Sequence, residues 1–507
     1  MKILNVAQIR AADAYTIEHE PISSPDLMER AAAALTNRFT GKFKAPCEVV
    51  VYCGWGNNGG DGLCLARLLY LRGYAVQVIA LLPDGITPSP DFLLNYNRLK
   101  QLPVPVAEIT NERQTLPTLP HTAIVVDALF GSGLNRPVEG MAAQMIEHIN
   151  RHTGAVVAID MPSGLFADAP VLPHTAIVKA KHTISFEAPK LAFLFAENYP
   201  YVGEWEVVSI GLHPHFLQTT ATPYHYLTAN QIQPILQTLP KFAHKGTKGH
   251  VLFIGGSIGK MGAAILSAKA ALKIGAGLVS VFVPKVGYAI MQTALPEVMV
   301  LPIPDENAEA LQVLPPAITL AANGTGLYQS IAIGPGMGST PQGAKTLQHF
   351  LENVRQPMVI DADALNRIAL AGLLDLVPAN SILTPHPKEF ERLAGKTGNA
   401  FNRLEKQRQL AQQYQIYLLL KGAHTAIACP NADVFFNSTG TPAMGTAGSG
   451  DVLTGIIAGL LAQGYSSLHS ALIGVYLHGT SGSKAAAALH GCITASDLIG
   501  FLGLQIG

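Results

Sequence analysis

The stretch EVVVYCGWGNNGGDG, residues 48–62, decides the fold of the first half of the chain. Residues 48–52 form a nearly continuous β-branched run, which is typical of a strand buried on both faces. Glycines follow at once, and a helical pattern runs over residues 61–72. A buried strand that leads through a glycine-rich turn into a helix predicts an alternating α/β fold.

The same alternation continues along the whole chain. A helix is predicted over 142–152 in the first half and another over 263–274 in the second. The further predicted strands are residues 75–79, 123–127, 155–160, 206–210, 251–254, 278–283, 331–333, 358–361 and 417–420. Strands that alternate with helices indicate parallel sheets with helices on both faces, and ligands of such sheets bind beyond the carboxyl ends of the strands.

The chain has 507 residues, which is more than one hydrophobic core usually serves. Glycine and prolines interrupt a polar run over residues 212–225, so we expect two domains, at 1–218 and 219–507. The first is expected to be a Rossmann-like α/β sandwich, and the second a larger α/β domain. No short internal repeat is present.

The composition excludes several classes of protein. Hydrophobic residues make up 49% of the chain and charged residues 13%, which is typical of a chain with large buried cores and excludes a disordered scaffold. Lysine plus arginine and aspartate plus glutamate both number 34, so the charge favours neither nucleic acid nor a membrane as partner. The five cysteines are scattered, and no signal peptide is evident. We therefore expect a cytoplasmic protein with reduced thiols, active on small molecules and assembled as a homo-oligomer.

The segment at 54–62 carries more than a turn requires. Its glycines let backbone N–H groups face a ligand, and the helix behind them favours an anion. Asn57, Asn58 and Asp61 add side-chain ligands, whereas a purely structural turn would not need them.

Two further strands of the first half end in an acid. Asp127 precedes a Gly-Ser-Gly turn, and Asp160 begins the run DMPSG at 160–164. Either acid alone could be a helix cap or a turn former. Together with the asparagine amides and the hydroxyl of Ser163 they form an oxygen-rich set that suits a hard cation.

The second half carries the run GTAGSGD, residues 445–451, directly before a helical stretch at 452–461. Glycine N–H groups and the positive end of a helix stabilise the negative charge of a phosphoryl group. Asp451 lies in the first turn and is suited to accept a proton from an acceptor hydroxyl. An ordinary capped helix would explain the aspartate but not the glycines. The runs KGAHT at 421–425, GPGMG at 334–338, DADALN at 361–366 and TPHPKEF at 384–390 end other strands and are expected nearby.

The first-half motifs resemble the NAD(P)HX epimerase family over about residues 1–215. That family interconverts the R and S forms of NADH or NADPH hydrated at C6 of the nicotinamide ring, and the resemblance implies a bound potassium ion. It implies potassium ligands at Asn58, Asp127 and Ser163. It implies substrate contacts at Asn57, Asn58, Gly59, Gly60, Asp61, Gly131, Ser132, Gly133, Leu134, Asn135, Arg136, Pro137 and Asp160, with proton transfer at Asp160.

The second-half motifs resemble the ribokinase-like superfamily and, more narrowly, the ADP/ATP-dependent NAD(P)HX dehydratases, over about residues 225–505. The resemblance implies nucleotide-driven phosphorylation of the C6 hydroxyl and loss of phosphate, with Mg²⁺ accompanying ADP or ATP and ADP the expected donor. It implies substrate contacts at Ala263, Gly338, His386 and Asp451, with Asp451 catalytic. It implies nucleotide contacts at Lys421, Gly422, Ala423, His424, Thr425 and Gly450.

Two alternatives stay open at this level. The second half could be a small-molecule kinase acting on a thiamine precursor, since Asp451 would serve that reaction equally well. The first half could be a binding module, because the same fold also serves as a non-catalytic scaffold in messenger-RNA decapping proteins. The retained acids Asp127 and Asp160 and the absence of a basic stripe favour the enzyme.

Overall fold

The computed structural model describes residues 1–302, 327–338 and 341–503. The chain forms two compact units, Met1–Thr222 and Pro223–Gly507. The sequence boundary after residue 218 falls inside the last helix of the first unit, Pro214–Thr219. Lys2 Nζ donates hydrogen bonds to the carbonyls of Gln218 and Thr220, and these contacts attach that helix to the start of the chain.

The first unit is built on a sheet of seven parallel strands. The strands are β1 Glu48–Cys53, β2 Ala75–Leu81, β3 Val106–Ile109, β4 Ile124–Ala128, β5 Val156–Ile159, β6 His182–Phe186 and β7 Glu204–Val208. Their order is β3-β2-β1-β4-β5-β6-β7, and every neighbouring pair is parallel. The direction of winding reverses between β1 and β4, and a doubly wound sheet binds its ligand at that point.

Helices cover both faces of this sheet. They are α1 Val6–His19, α2 Ser24–Lys42, α3 Asn57–Leu71, α4 Pro90–Lys100, α5 Gly140–Asn150, α6 Tyr199–Val202 and α7 Pro214–Thr219, with 3₁₀ turns at Leu191–Leu194 and Ala196–Asn198. The β-branched side chains of each strand alternate between two cores. Val49 and Val51 pack in the core on one face, and Val50 and Tyr52 in the core on the other.

The predicted start of α3 was wrong. The helix that was expected to begin at residue 61 begins at Asn57, so the asparagines lie in its first turn. A β-carbon on Gly59 would overlap the carbonyl of Gly54, and one on Gly62 would lie 2.5 Å from Ala128 Cβ. These glycines therefore let α3 pack closely against β1 and β4, and they do not form a turn before the helix.

Among the described residues, the second unit contains a ten-stranded mixed sheet. Its strands are β8 Tyr224–Tyr226, β9 His250–Ile254, β10 Leu278–Val283, β11 Met299–Pro302, β12 Ser330–Ile333, β13 Val359–Ile360, β14 Ile382–Leu383, β15 Tyr417–Leu420, β16 Ala426–Ala428 and β17 Val434–Phe436. The order is β11-β10-β9-β12-β13-β14-β15-β16-β17-β8. Strand β16 runs antiparallel to both neighbours, and the winding reverses between β9 and β12.

The helices of the second unit pack on both faces of this sheet. They are α8 Ala229–Ile232, α9 Met261–Ile274, α10 Gly287–Ala294, α11 Pro341–Asn353, α12 Ala362–Ala371, α13 Pro387–Ala394, α14 Ala400–Gln413, α15 Ser449–Ala462, α16 Ser467–Ala488 and α17 Ala495–Gly500, with 3₁₀ turns at Gln233–Ile235, Leu374–Leu376 and Pro442–Met444. Helices α9 and α15 pack together in one hydrophobic core of the unit. Within the described ranges, no helix has the length and apolar character needed to cross a bilayer.

Candidate active sites

A cavity of about 1060 Å³ lies in the first unit, beyond the carboxyl ends of β1, β4 and β5. It is the place at which the winding of the sheet predicts a ligand. Most of the predicted epimerase residues line it, namely Asn57, Asn58, Asp61, Gly131, Ser132, Gly133, Leu134, Asn135, Arg136, Pro137 and Asp160. Gly59 and Gly60 do not line it, because these two residues of α3 are buried against Gly54 and Met28.

Asp160 is the most tightly held acid of the cavity. Its Oδ2 accepts a hydrogen bond of 2.9 Å from the backbone N–H of Ser132, and its Oδ1 accepts one of 3.3 Å from the Ser185 hydroxyl. The ammonium of Lys190 lies 3.0 Å from Oδ1. The backbone φ of Asp160 is +61°, a left-handed conformation that non-glycine residues rarely adopt and that clusters at functional sites.

The electrostatics separate Asp160 from the acid that faces it. Burial alone would raise the pKa of Asp160, but the Lys190 ammonium and the N–H of Ser132 outweigh burial and lower it. The pKa of Asp61 is raised well above its usual range, first by burial and then by the charges of Asp160, Asp13 and Asp91. The same cavity therefore lowers the pKa of one carboxyl and raises the pKa of the other.

The predicted potassium ligands lie beside and beneath this cavity. The Asp127 carboxylate accepts hydrogen bonds from the Ser163 hydroxyl (2.6 Å) and the Ser163 N–H (2.8 Å), and both residues are buried. A β-carbon on Gly131 would lie 3.1 Å from both Asn58 Oδ1 and Asp160 Oδ2, so the Asn58 amide and the Asp160 carboxylate both lie against Gly131. Asn58 Nδ2 is buried without a hydrogen-bond partner. The donors are oxygen atoms, as a hard monovalent cation requires.

The sequence motifs did not indicate two charged side chains that line this cavity, Lys190 and Asp13. Lys190 is 1% exposed, and Asp13 on α1 faces the same cavity. A lysine directly before the apolar run Leu191–Leu194 was the available signal, because a cation buried among apolar residues requires a carboxylate partner. Asp13 lies in a helix with no local motif, so only the folded structure brings it to the site.

In the second unit the phosphoryl-transfer motif forms the start of α15. Gly448, at φ +87°, is the N-cap, and Ser449, Gly450 and Asp451 make the first turn. A β-carbon on Gly450 would lie 3.3 Å from Lys421 Nζ, which places the glycine directly beside that ammonium. The helix starts three residues before the predicted stretch, so the glycines are themselves the anion-binding end of the helix.

Asp451 stands in an acidic neighbourhood. Burial and the charges of Asp361 and Asp363 raise its pKa to about 6, while Lys421 opposes them. Lys421 Nζ donates a hydrogen bond of 2.9 Å to Asp361 Oδ1, and the Thr454 hydroxyl donates one of 2.7 Å to Asp361 Oδ2. A carboxyl with a pKa close to neutrality can both accept and return a proton.

The GPGMG run and the strand-end acids pack together. Gly338 N donates to Asp363 Oδ2 at 2.8 Å, and Lys260 Nζ lies 3.2 Å from the same oxygen. A β-carbon on Gly336 would lie 3.2 Å from Ala263 Cβ, so the segment that holds Gly338 packs beside Ala263, the other predicted substrate position.

His386 serves first as a helix cap. Its Nδ1 accepts the N–H groups of Lys388 and Glu389 at the start of α13, and Glu389 in turn accepts the His386 N–H. The imidazole is half-exposed, and its outer nitrogen Nε2 lies 3.5 Å from Glu389 Oε1. The N–H of Lys421 donates to the carbonyl of Pro385, which joins the histidine loop to the predicted nucleotide loop.

The predicted nucleotide loop is closed by short contacts. The Thr425 hydroxyl and the backbone of Gly422 bond each other, and His424 Nδ1 lies 3.1 Å from the carbonyl of Asn437. Ala423 is exposed between them. His478, unnoticed in the sequence, supports the phosphate end: its Nε2–H donates to the Ser449 carbonyl at 2.9 Å, and burial lowers its pKa to about 4.

Comparison with known proteins assigns both units. A family model described as NAD(P)H-hydrate dehydratase matches residues 251–501, and one described as YjeF-related protein N-terminus matches residues 24–192. A bifunctional NAD(P)H-hydrate repair enzyme Nnr from Moorella thermoacetica is 37% identical, over 99% of this chain and 96% of that protein. The chain belongs to the bifunctional NAD(P)H-hydrate repair enzymes. Proteins of the same name from Salinibacter ruber and Escherichia coli K12 are 35% and 34% identical, over 95% and 91% of this chain and 92% and 85% of those proteins.

Family membership confirms the two-domain α/β prediction and the resemblance of both halves. A solved structure described as ADP/ATP-dependent NAD(P)H-hydrate dehydratase from Bacillus subtilis, co-crystallised with ATP/Mg²⁺, is 28% identical. It covers 55% of this chain and 95% of that one, with a TM-score of 0.45.

Proposed function

We propose that this repair enzyme restores hydrated NADH and NADPH in two steps, one in each unit. The first unit interconverts the R and S epimers at C6, and the second dehydrates the S epimer at the expense of ADP or ATP. The observation that carries the proposal is the pair of poised acids, Asp160 in the cavity of the first unit and Asp451 at the start of α15. Each lies beyond the carboxyl ends of its sheet, where such folds bind ligands.

In the second unit, Asp451 would accept the proton of the substrate's C6 hydroxyl. The hydroxyl oxygen would then attack the terminal phosphorus of the nucleotide. The N–H group of Gly450 and the positive end of α15 would stabilise the charge on the phosphoryl oxygens, whereas the N–H of Ser449 donates to the Thr446 carbonyl at 3.4 Å. Phosphate then leaves from C6 as a proton leaves C5, which forms the ring double bond of NAD(P)H. Phosphate is a far better leaving group than hydroxide, which explains the use of a phosphoryl donor.

The two units would require different cations. In the first, Asn58, Asp127 and Ser163 would hold potassium, because the carboxylate of Asp127 and the hydroxyl of Ser163 lie 2.6 Å apart and Asn58 adds an amide oxygen. The ion would supply positive charge that holds the Gly131 loop in place. In the second, Mg²⁺ would enter on the nucleotide phosphates, since Lys421 and Gly338 already engage the carboxylates of Asp361 and Asp363.

The nucleotide and the hydrated cofactor would share the rim of the second sheet. Lys421, Gly422, Ala423, His424, Thr425 and Gly450 would bind the nucleotide, and Ala263, Gly338, His386 and Asp451 the substrate. ADP is the expected donor. The first cavity would hold the substrate along Asn57, Asn58, Asp61, Asp160 and the loop 131–137. A homo-oligomer is expected, and size-exclusion chromatography with light scattering would measure it.

The test is the recovery of reduced-nicotinamide absorbance. Purified protein with ADP or ATP, Mg²⁺ and pure S epimer should produce NADH, and Asp451→Asn should lower that rate roughly 10²-fold or more. With pure R epimer, wild type should also produce NADH, whereas Asp160→Asn should convert only the S epimer. Phosphorylation of a thiamine precursor without recovery of NADH would instead establish the second unit as a small-molecule kinase.

A further inference from the structure

Hydration places the hydroxyl of the substrate on C6, which is also bonded to the ring nitrogen N1. Such a carbon is a hemiaminal, and no carbonyl flanks its C–H bond, so that hydrogen is not acidic. Opening the C6–N1 bond to an aldehyde is chemically easier, because N1 is conjugated to the ring carboxamide. Inversion by this route needs one group to take the hydroxyl proton and a second to give a proton to N1. The argument rests on the epimerase function proposed above for the first unit.

Lys190 fixes the state of the first of these groups. Its buried ammonium contacts Asp160 Oδ1 at 3.0 Å and donates to the carbonyls of Phe186 and Ala188 at 3.1 and 3.2 Å. The three N–H bonds are thereby used within the protein, so Lys190 cannot also bind substrate. It acts through Asp160, which it holds ionised and, with Ser132 N–H, in one orientation.

Asp61 is the opposite case in the same cavity. It lies one turn along α3 from Asn57 and Asn58, on the helix face that meets the cavity. In the ranges that the structure describes, its side chain has no hydrogen-bond partner and no cation in contact. Burial, together with the charges of Asp160, Asp13 and Asp91, raises its pKa and so favours the protonated form of this carboxyl.

The remaining charged groups do not take over either task. Asp91 lies in the first turn of α4 and accepts the Ser24 hydroxyl at 2.5 Å, so its side chain is engaged within the protein. Asp13, on α1, has a pKa raised to about 6 by burial and by Asp160, so it is mostly ionised at neutral pH. Arg10, Arg136, Glu139 and Glu187 also line the cavity.

We propose that the first unit epimerises its substrate by reversible ring opening, with Asp160 as base, Asp61 as acid and Lys190 as the positioning residue of Asp160. Asp160 takes the C6 hydroxyl proton, the C6=O bond forms as C6–N1 breaks, and Asp61 protonates N1. The aldehyde turns about C5–C6 and presents its other face. N1 then attacks, Asp61 recovers its proton, and Asp160 returns its own to the oxygen. No other reactant is consumed, and both acids return to their initial states.

Isotope labelling from solvent distinguishes ring opening from removal of the C6 hydrogen and from exchange of the C6 hydroxyl with water. Epimerisation by the full-length enzyme in ²H₂O or H₂¹⁸O, without nucleotide, should leave C6–H and the C6 oxygen unlabelled beyond the enzyme-free control, as mass spectrometry would show. Deuterium at C6 would overturn the proposal in favour of C–H removal. One ¹⁸O per turnover would overturn it in favour of loss of hydroxide and addition of water.

Variants assign the residues. Asp61→Asn and Asp160→Asn should each slow epimerisation roughly 10²-fold or more, whereas Asp84→Asn, at an exposed acid of the same unit, should not. If Asp61→Asn epimerises like wild type, or if only Asp13→Asn loses activity, Asp61 is not the acid. Far-ultraviolet circular dichroism and thermal unfolding of each variant would establish that the unit is folded.

The role of Lys190 is read from pH dependence. Lys190→Met removes the charge that lowers the pKa of Asp160, so the low-pH limb of the kcat/KM profile should shift to higher pH. Lys190→Arg keeps a positive charge and should return the limb toward its wild-type pH. The exposed Lys181→Met is the matched control. A slower Lys190→Met variant with an unmoved limb would show a merely structural lysine. Absence of epimerisation in wild type would instead refute the proposed function itself.

Discussion

Asp160 directly follows strand β5 and Asp451 lies in the first turn of α15, and the charges closest to the two acids are opposite in sign. Asp160 lies against a fully buried ammonium and has a lowered pKa. Asp451 faces Asp361 and Asp363, whose charges, after burial, raise its pKa to about 6. The first acid is therefore ionised at any physiological pH, whereas the second titrates close to it.

This difference predicts the pH dependence of dehydration. Asp451 must be ionised to accept a proton, and its raised pKa means that it becomes protonated as pH falls through about 6. The rate of S-epimer dehydration should be flat above that pH and fall about tenfold per unit below it. Initial rates in buffers of constant ionic strength would measure the limb. A limb near pH 4 would contradict the assignment of Asp451 as base.

The ion pair beneath Asp451 predicts an unequal pair of stability changes. Asp361 is 1% exposed, and its charge is neutralised by Lys421. Lys421→Met should cost about 3 kcal/mol of unfolding free energy, because it leaves a buried carboxylate unpaired. The double variant Asp361→Asn with Lys421→Met should lose less unfolding free energy than Lys421→Met alone, because it leaves no unpaired carboxylate. Denaturant unfolding would measure both variants. Equal losses of unfolding free energy would mean that the unpaired Asp361 carboxylate is not what destabilises Lys421→Met.

At the scale of elements, the start of α15 depends on how closely that helix packs on α9. A β-carbon on Gly455 would overlap the carbonyl of Ser267, and one on Gly459 would lie 2.5 Å from Ile274 Cγ2. The Ser267 hydroxyl also donates to the Asp451 carbonyl at 2.9 Å. Small residues in mid-helix thus set the position of the anion-binding turn.

We therefore expect Gly455→Ala to act at a distance. The added methyl should cost about 1–3 kcal/mol by overpacking and should lower dehydration by displacing the first turn of α15. Gly262→Ala, where a β-carbon meets nothing within 4 Å, is the matched control on α9 and should be neutral or slightly stabilising. Thermal unfolding and dehydratase rates would be compared. An unaffected Gly455→Ala enzyme would show that the helices can separate freely.

Elements were largely predictable from sequence, whereas their ends and partners were not. Buried β-branched runs predicted β1, β2, β4, β5, β9 and β10 because the hydrophobic pattern is local. The start of α3 was misplaced, since its glycines serve packing against Gly54, which is visible only in three dimensions. Lys190 was missed for the same reason: its partner Asp160 lies thirty residues away in sequence, on another strand end.

At the scale of the molecule, the two compact units predict that the activities can be separated. Cut between Thr222 and Pro223, residues 1–222 should epimerise and residues 223–507 should dehydrate only the S epimer. Mixed fragments should repair both epimers. Thr222 donates its hydroxyl to the Ile3 carbonyl, so a cut after residue 218 should give a less stable first fragment. Dehydration of the R epimer by residues 223–507 alone would contradict this division.

The strand that opens the second unit has a consequence for how the protein is made. Strand β8, Tyr224–Tyr226, pairs with β17, Val434–Phe436, at the far edge of the ten-stranded sheet. A ribosome delivers the first unit whole before β8 appears, yet β8 must then wait for some two hundred residues before its partner emerges. During synthesis this segment is an unpaired strand beside a finished domain, a species that chaperones recognise and that can pair wrongly with a neighbouring chain. Translation pauses or crowding on polysomes should therefore affect the yield of the second activity more than that of the first.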